Sequence, residues 1–212
     1  MKYLSPSLWR SDDAARIAEE SAKLQNARII ENSLGHRTGW PSMWADEIGI
    51  EPRGEQWLAT LELAGQAAYM GSIVVFHGTR GSGKTRMAAE LALEAGHSRY
   101  KTARQLFRDV KHTFHPDSDR SEKSIMDNCI ETNLLVVDEY QEGGKSAFES
   151  RIITELVDSR MANRRPTIII ANMLRSELSA ALGASIIDRM QAKGRSFEFN
   201  WPSFRGQNRE KL

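Results

Sequence analysis

Gly78-Thr79-Arg80-Gly81-Ser82-Gly83-Lys84-Thr85 decides the fold. It follows an apolar run, Ile73–His77, that reads as a buried strand, and it opens a helical pattern from Lys84 to about Ala95. Strand, glycine-rich turn and helix together are the context a phosphate loop requires. Gly78, Gly81 and Gly83 let the backbone approach phosphate oxygens where a Cβ would clash. Backbone N–H groups then face an anion, and the helix N-terminus adds positive potential. Lys84 is expected at the β- and γ-phosphates of a nucleoside triphosphate, ATP, and Thr85 at Mg²⁺. Gly78 through Thr85 are thus the expected nucleotide-binding residues. Arg80 stands where such loops usually carry a small or apolar residue, and nothing in the sequence accounts for it.

Downstream, apolar strand-sized runs alternate with helical patterns. Strands are expected near 99–102, at Leu134–Asp138, at Thr167–Asn172 and near 196–200. Helices are expected over 103–114, 121–130, 147–163 and 175–191. This alternation implies a parallel sheet covered by helices on both faces. Upstream, the Ala/Glu/Lys/Arg-rich stretch 12–31 reads as a helix capped by Ser11, with Asp12 and Asp13 at its positive end. Residues 32–55, punctuated by Gly and Pro, read as a linker holding Trp40 and Trp44. A second helix is expected over 55–70, with Trp57, Leu61, Ala64 and Ala68 on one face. The expected division is a helical and irregular extension, 1–55, and a nucleotide-binding domain, 56–212.

Two further strand ends add chemistry. Leu134-Leu135-Val136-Val137-Asp138-Glu139 is a buried strand ending in two carboxylates. Asp138 is expected to hold Mg²⁺, directly or through water. Glu139 is placed to polarise a water for attack on the γ-phosphate. Thr167–Asn172 ends in an amide that either orients that water or simply forms a turn. In such a sheet this strand end lies beside the phosphate loop.

Composition narrows the class. Hydrophobic residues make up 40% of the chain, enough for a packed core, and the net charge of +1 names no partner. Its distribution says more: residues 1–70 carry −3 and residues 71–212 carry +4, so the second part is the better nucleic-acid candidate. The single cysteine, Cys129, excludes an internal disulfide framework and a cysteine zinc site. The N-terminus lacks the apolar core of a secretory signal, and no apolar run approaches a membrane span. A cytoplasmic protein is expected.

Taken together, GTRGSGKT, LLVVDEY, IIIAN, SIIDRM and the late FNWPSFR resemble the AAA+ ATPase domains of the DnaC-type bacterial helicase loaders, a group that includes the transposition helper IstB. The resemblance covers roughly residues 70–206. It implies an AAA+ P-loop fold with a five-stranded parallel sheet between helices, a reduced or absent lid domain and a small helical N-terminal extension. It implies that Lys84 and Thr85 are the Walker A pair, Asp138 and Glu139 the Walker B pair, and Asn172 sensor 1. Arg189 matches the arginine finger, which acts on the γ-phosphate held by the next subunit, so catalytic work would fall to Lys84, Glu139, Asn172 and Arg189. Arg205 falls at a late basic position, either a sensor 2 equivalent or a solvated arginine. A finger acting in trans requires self-association through unlike faces, as a ring or spiral.

The implied activity is ATP hydrolysis coupled to loading a replicative, DnaB-type helicase onto single-stranded DNA. The alternative is an IstB-like ATPase helper of a DNA transposase. Helix 12–31 is the expected helicase contact, or else folds back on its own domain. Trp40 and Trp44 either dock on a partner or pack down on the ATPase domain. Between Arg99 and Lys111, Arg104, Arg108 and Lys111 form a basic stripe beside an apolar one made of Ala103, Leu106, Phe107, Val110 and Phe114. A DNA-tracking surface and a solvated helix face both fit that pattern. A small-molecule kinase fits less well, because some 77 residues precede the loop and Glu139 and Arg189 would have no role. A scaffold that binds ATP without hydrolysing it would leave Glu139 idle.

Overall fold

The computed structural model describes residue 23 and residues 25–43, 54–142 and 146–204. Trp44, Arg205 and most of the expected helix 12–31 lie outside the described residues; 25–34 are helical. Five strands form one parallel sheet: β1 (Ile73–Gly78), β2 (Ser98–Thr102), β3 (Leu134–Asp138), β4 (Thr167–Ala171) and β5 (Gly194–Phe199), in the order β2-β3-β4-β1-β5. Each crossover is a helix or helix pair, as parallel strands require. The helices are α1 (Glu55–Tyr69), α2 (Lys84–Ala95), α3 (Ala103–His112), α4 (Glu122–Ile130), α5 (Ala147–Ala162) and α6 (Arg175–Lys193).

The two-residue period of the strands divides the core. Val74, Phe76, Val136, Ile168 and Ile170 face α1 and α2, together with Trp40, Trp57 and Met87. Ile73, Val75, Leu135, Val137 and Ile169 face α3 to α6, with Phe107, Ile152, Leu156 and Leu182. Helix starts follow capping chemistry. Thr102 and Gln105 form a capping box on α3, and Ser146 and Glu149 do so on α5. Gly183 breaks α6 with φ 76° and ψ 159°, so this helix is two segments.

One expectation needs correction. The helix expected to reach 114 ends at His112, because Thr113 and Phe114 turn off it with i→i−3 bonds. Phe114 therefore leaves the apolar stripe, is 61% exposed, and meets Phe148 edge-on, 5.9 Å between centroids. Trp40 is 4% exposed and packs on Tyr100 at 4.7 Å, its indole N–H donating to Ser98 Oγ at 2.7 Å. That is inward packing of the kind weighed above, and Leu34 joins the same cluster.

The edge of the sheet where the strands begin is closed by a fully buried arginine. Arg160 of α5 donates to the carbonyls of Cys129, Ile130, Thr132, Asn133 and Pro166 at 2.5–3.3 Å, and to Thr167 Oγ1 at 3.0 Å. It ties the end of α4 to the turns entering β3 and β4. Burial pulls its pKa down to about 9, still above neutrality, so the guanidinium is charged and its donors are satisfied. Replacing it with Leu leaves those carbonyls buried and unpaired. Arg160→Leu should lose about 3 kcal/mol or more of unfolding free energy, measured by urea denaturation.

Candidate nucleotide-binding site

The site forms where β1, β3 and β4 end. Gly78 has φ 122°, and a Cβ there would lie 2.4 Å from the Phe199 carbonyl oxygen, so only glycine fits at this entrance to the loop. Gly83, left-handed at φ 86°, turns the chain into α2. Lys84, 4% exposed, donates to Gly78 O at 3.1 Å and Thr79 O at 2.6 Å, which keeps its ammonium inside the loop. Ser82 is fully buried and donates to Thr79 O at 2.7 Å. Arg80 is exposed at the loop tip, and nothing in the structure explains it.

Parity places Asp138. Counting by twos from Leu134, it points to the α2 side of the sheet, where Thr85 lies in the first turn of the helix. Thr85 Oγ1 donates to Asp138 Oδ2 at 2.8 Å. A hydroxyl and a buried carboxylate converging beside the loop are the hard oxygen donors that Mg²⁺ prefers, so the residues present fit that ion. Among the described residues no group of three or more His, Cys, Asp or Glu is placed to hold a metal ion.

Glu139 leaves the strand in the left-handed region, φ 54°, and its N–H donates to Asp138 Oδ1 at 2.6 Å. A non-glycine residue there costs about 1–3 kcal/mol. That turn swings the exposed Glu139 carboxylate out of the strand's alternation. The next turn, Tyr140–Glu142, sends Gln141 Oε1 to accept from the Asn172 N–H at 3.0 Å, tying the ends of β3 and β4 together. Asn172 is half-buried one residue beyond Ala171, which pairs with His77 of β1, so it stands beside the phosphate loop.

Tyr100 was not apparent from sequence reasoning. Its hydroxyl donates to Asp138 Oδ2 at 3.0 Å. Burial, then the Asp138 charge, push its pKa far up, so it stays a donor. Period-two parity between β2 and β3 would have flagged it, since Tyr100 and Asp138 share a face, but the β2–β3 pairing had to be known first. A cleft of about 270 Å³ between Gln56, Trp57, Trp201 and Phe204 lies next to the loop. A larger groove, about 1440 Å³, lies toward the opposite edge by Tyr69, Met70 and Arg195 and carries none of this chemistry.

The other expected residues lie elsewhere. Arg189 sits five residues before Gly194, which pairs with Ile73 at the far end of β1 from the loop. There it forms a two-pronged ion pair with Asp158 of α5 and donates to Ser185 O at 2.8 Å. The Asp158 carboxylate pushes its pKa up. Arg104 and Arg108 are exposed on α3. Lys111 lies 4.0 Å from Glu149 and over the Phe148 ring. Of the other two cations in that stretch, Lys101 pairs with Asp109 and Arg99 donates to Asn128 O.

The family model described as IstB-like ATP binding protein matches residues 43–212. The chain belongs to this family. A curated relative, the replicative helicase loader DnaC of Buchnera aphidicola subsp. Baizongia pistaciae, is 31% identical over 96% of this chain and 90% of that one. The DnaC of Escherichia coli K12 is 32% identical over 63% of this chain and 56% of that one, so this IstB-like chain spans about half the length of the E. coli relatives it matches. Among solved structures, that of the DnaC helicase loader superposes with a TM-score of 0.60 at 18% identity, over 74% of this chain and 99% of that one. That of DnaI gives 0.58 at 20% identity, over 73% and 87%. These two likenesses show the fold, the AAA+ P-loop arrangement expected from the sequence. No helix among the described residues is long and apolar enough to cross a membrane.

Removing the Tyr100 hydroxyl leaves Asp138 Oδ2 with one fewer donor. Tyr100→Phe should raise the Mg²⁺ concentration for half-maximal Mg-ATP binding about fivefold, the equivalent of one hydrogen bond of about 1 kcal/mol. A magnesium titration with a fluorescent ATP analogue measures it.

Proposed function

We propose that this chain is an ATP-hydrolysing loader of a replicative DNA helicase. The observation that carries this is the Thr85–Asp138–Glu139 cluster beside the phosphate loop, in a chain whose near-full-length relative is named a replicative helicase loader. Lys84 neutralises the β- and γ-phosphates, and Thr85 with Asp138 hold Mg²⁺, which supplies charge compensation there. Glu139 takes the proton of the attacking water, and Asn172 orients that water. Arg205, beyond the described residues, is a further contact for the nucleotide.

Arg189 completes the site of a neighbouring subunit. Its support is position: it lies toward the far end of β1 from its own loop, with a side chain 24% exposed. Self-association is then head-to-tail. Residues 1–55 form the partner-binding extension and 56–212 the ATPase domain. Residues 12–31 contact the helicase, and Arg104, Arg108 and Lys111 track the phosphates of single-stranded DNA. The curated relatives favour a loader over a transposase helper, and pull-downs against both partners decide between them.

The finger is tested by mixing. Arg189→Ala should keep ATP affinity within about twofold and lose turnover by about 10³ or more in the presence of single-stranded DNA and helicase. Glu139→Gln should be equally inactive. A mixture of the two should recover activity, because some interfaces then pair an intact Glu139 with an intact Arg189. A mixture no more active than its components rejects the trans arrangement.

Replacing Arg104, Arg108 and Lys111 together with Gln should flatten the log–log salt dependence of single-stranded DNA binding by about two, at about 0.7 per phosphate contact. An unchanged slope takes the stripe off the DNA path.

A further inference from the structure

We infer that the strap following β5, residues 200–204, sets the phosphate cradle, with Trp201 and Phe204 as positioning residues for the backbone of the loop. The inference rests on reading Gly78–Thr85 as the triphosphate site. In a trans peptide the C=O and N–H of one plane point in opposite directions, and no cis peptide occurs among the described residues. A cradle of inward N–H groups therefore needs its carbonyls held outward.

Three of the loop's carbonyls have partners on the loop itself or on α2. The Gly78 and Thr79 carbonyls accept from Lys84, and the Gly83 carbonyl accepts from the Met87 N–H of α2. The middle of the loop is held from outside. The Gly81 carbonyl accepts from the Phe204 N–H at 2.9 Å, and the Ser82 carbonyl from the Trp201 indole N–H at 2.8 Å. Those two peptides carry the N–H groups of Ser82 and Gly83. Two donors on the strap thus aim two donors of the loop.

The strap is itself anchored. Trp201 packs on Phe199 at 4.8 Å, and Phe199, fully buried, packs on Phe76 of β1 at 5.1 Å. The missing Cβ of Gly78 admits the Phe199 carbonyl at the mouth of the loop. Without the strap donors, either peptide is free to flip, and a flipped carbonyl would present its negative end to phosphate oxygens.

The test separates phosphates from base, because Trp201 also lines the neighbouring cleft. Trp201→Phe keeps a ring against Phe199 and removes the N–H. Phe204→Pro removes the other donor and leaves Trp201 in place, so each variant checks the other if one folds poorly. Binding of Mg-ATP and of inorganic tripolyphosphate is measured by competition with a fluorescent nucleotide. Both affinities should fall five- to tenfold, by the same factor, in each variant. In ¹⁵N spectra of the wild-type chain, the Trp201 indole signal, identified by its absence from Trp201→Phe, should exchange slowly with solvent and shift when tripolyphosphate is added. Wild-type affinity for tripolyphosphate in both variants, or a loss confined to ATP, overturns the inference. Failure of the wild-type chain to bind either ligand overturns the site reading and the strap with it.

Discussion

A phosphate cradle built from backbone N–H groups works only while the opposite ends of the same peptides are satisfied elsewhere. A buried carbonyl without a partner costs about 1–3 kcal/mol, enough to turn a glycine-rich loop out of the productive arrangement. Here those carbonyls are met by Lys84, by the first turn of α2 and by the strap after β5. The missing Cβ of Gly78 lets the end of β5 approach the loop, and the residues after β5 supply the strap donors.

The sheet divides its labour between its two edges. Where the strands begin, Arg160 saturates itself with carbonyls, a fixed, buried and fully paired arrangement. Where they end, the groups are held by single bonds, such as Thr85 and Tyr100 to Asp138. Glu139 is kept in a strained conformation at that same edge. Strain is tolerable there because the neighbouring strands on both sides of β3 are locked in parallel register. Asp138 connects this edge outward as well. Tyr100 reaches it from β2, and Trp40, upstream of α1, packs on Tyr100. The described part of the N-terminal region thus ends two contacts from the expected metal ligand.

Much of this was legible before the fold. The loop motif, the strand ending in Asp138-Glu139 and the βα alternation are local patterns, and local patterns survive in a linear chain. The helix starts expected at 103 and 147 coincide with α3 and α5, where Thr102 and Ser146 supply the caps. Tyr100, Gln141, Trp201 and Phe204 were not legible as site residues. Their roles depend on partners 38, 31, 119 and 123 positions away. Phe114 misled because helical periodicity says nothing about where a helix stops.

What the sequence by itself determined is the set of groups available: a glycine-rich loop of the phosphate-binding pattern, two adjacent carboxylates at a strand end, and apolar runs of a length and spacing suited to alternating strands and helices. Only the tertiary structure decided which residues aim that chemistry. The order β2-β3-β4-β1-β5 brings Tyr100 to Asp138, Asn172 to the loop, and the strap to Gly81 and Ser82, while leaving Arg189 paired to Asp158 away from its own loop. The physical reason is that aiming is a property of peptide planes and side-chain parity across paired strands. Pairing is set by the burial of two whole sheet faces, not by any segment read alone.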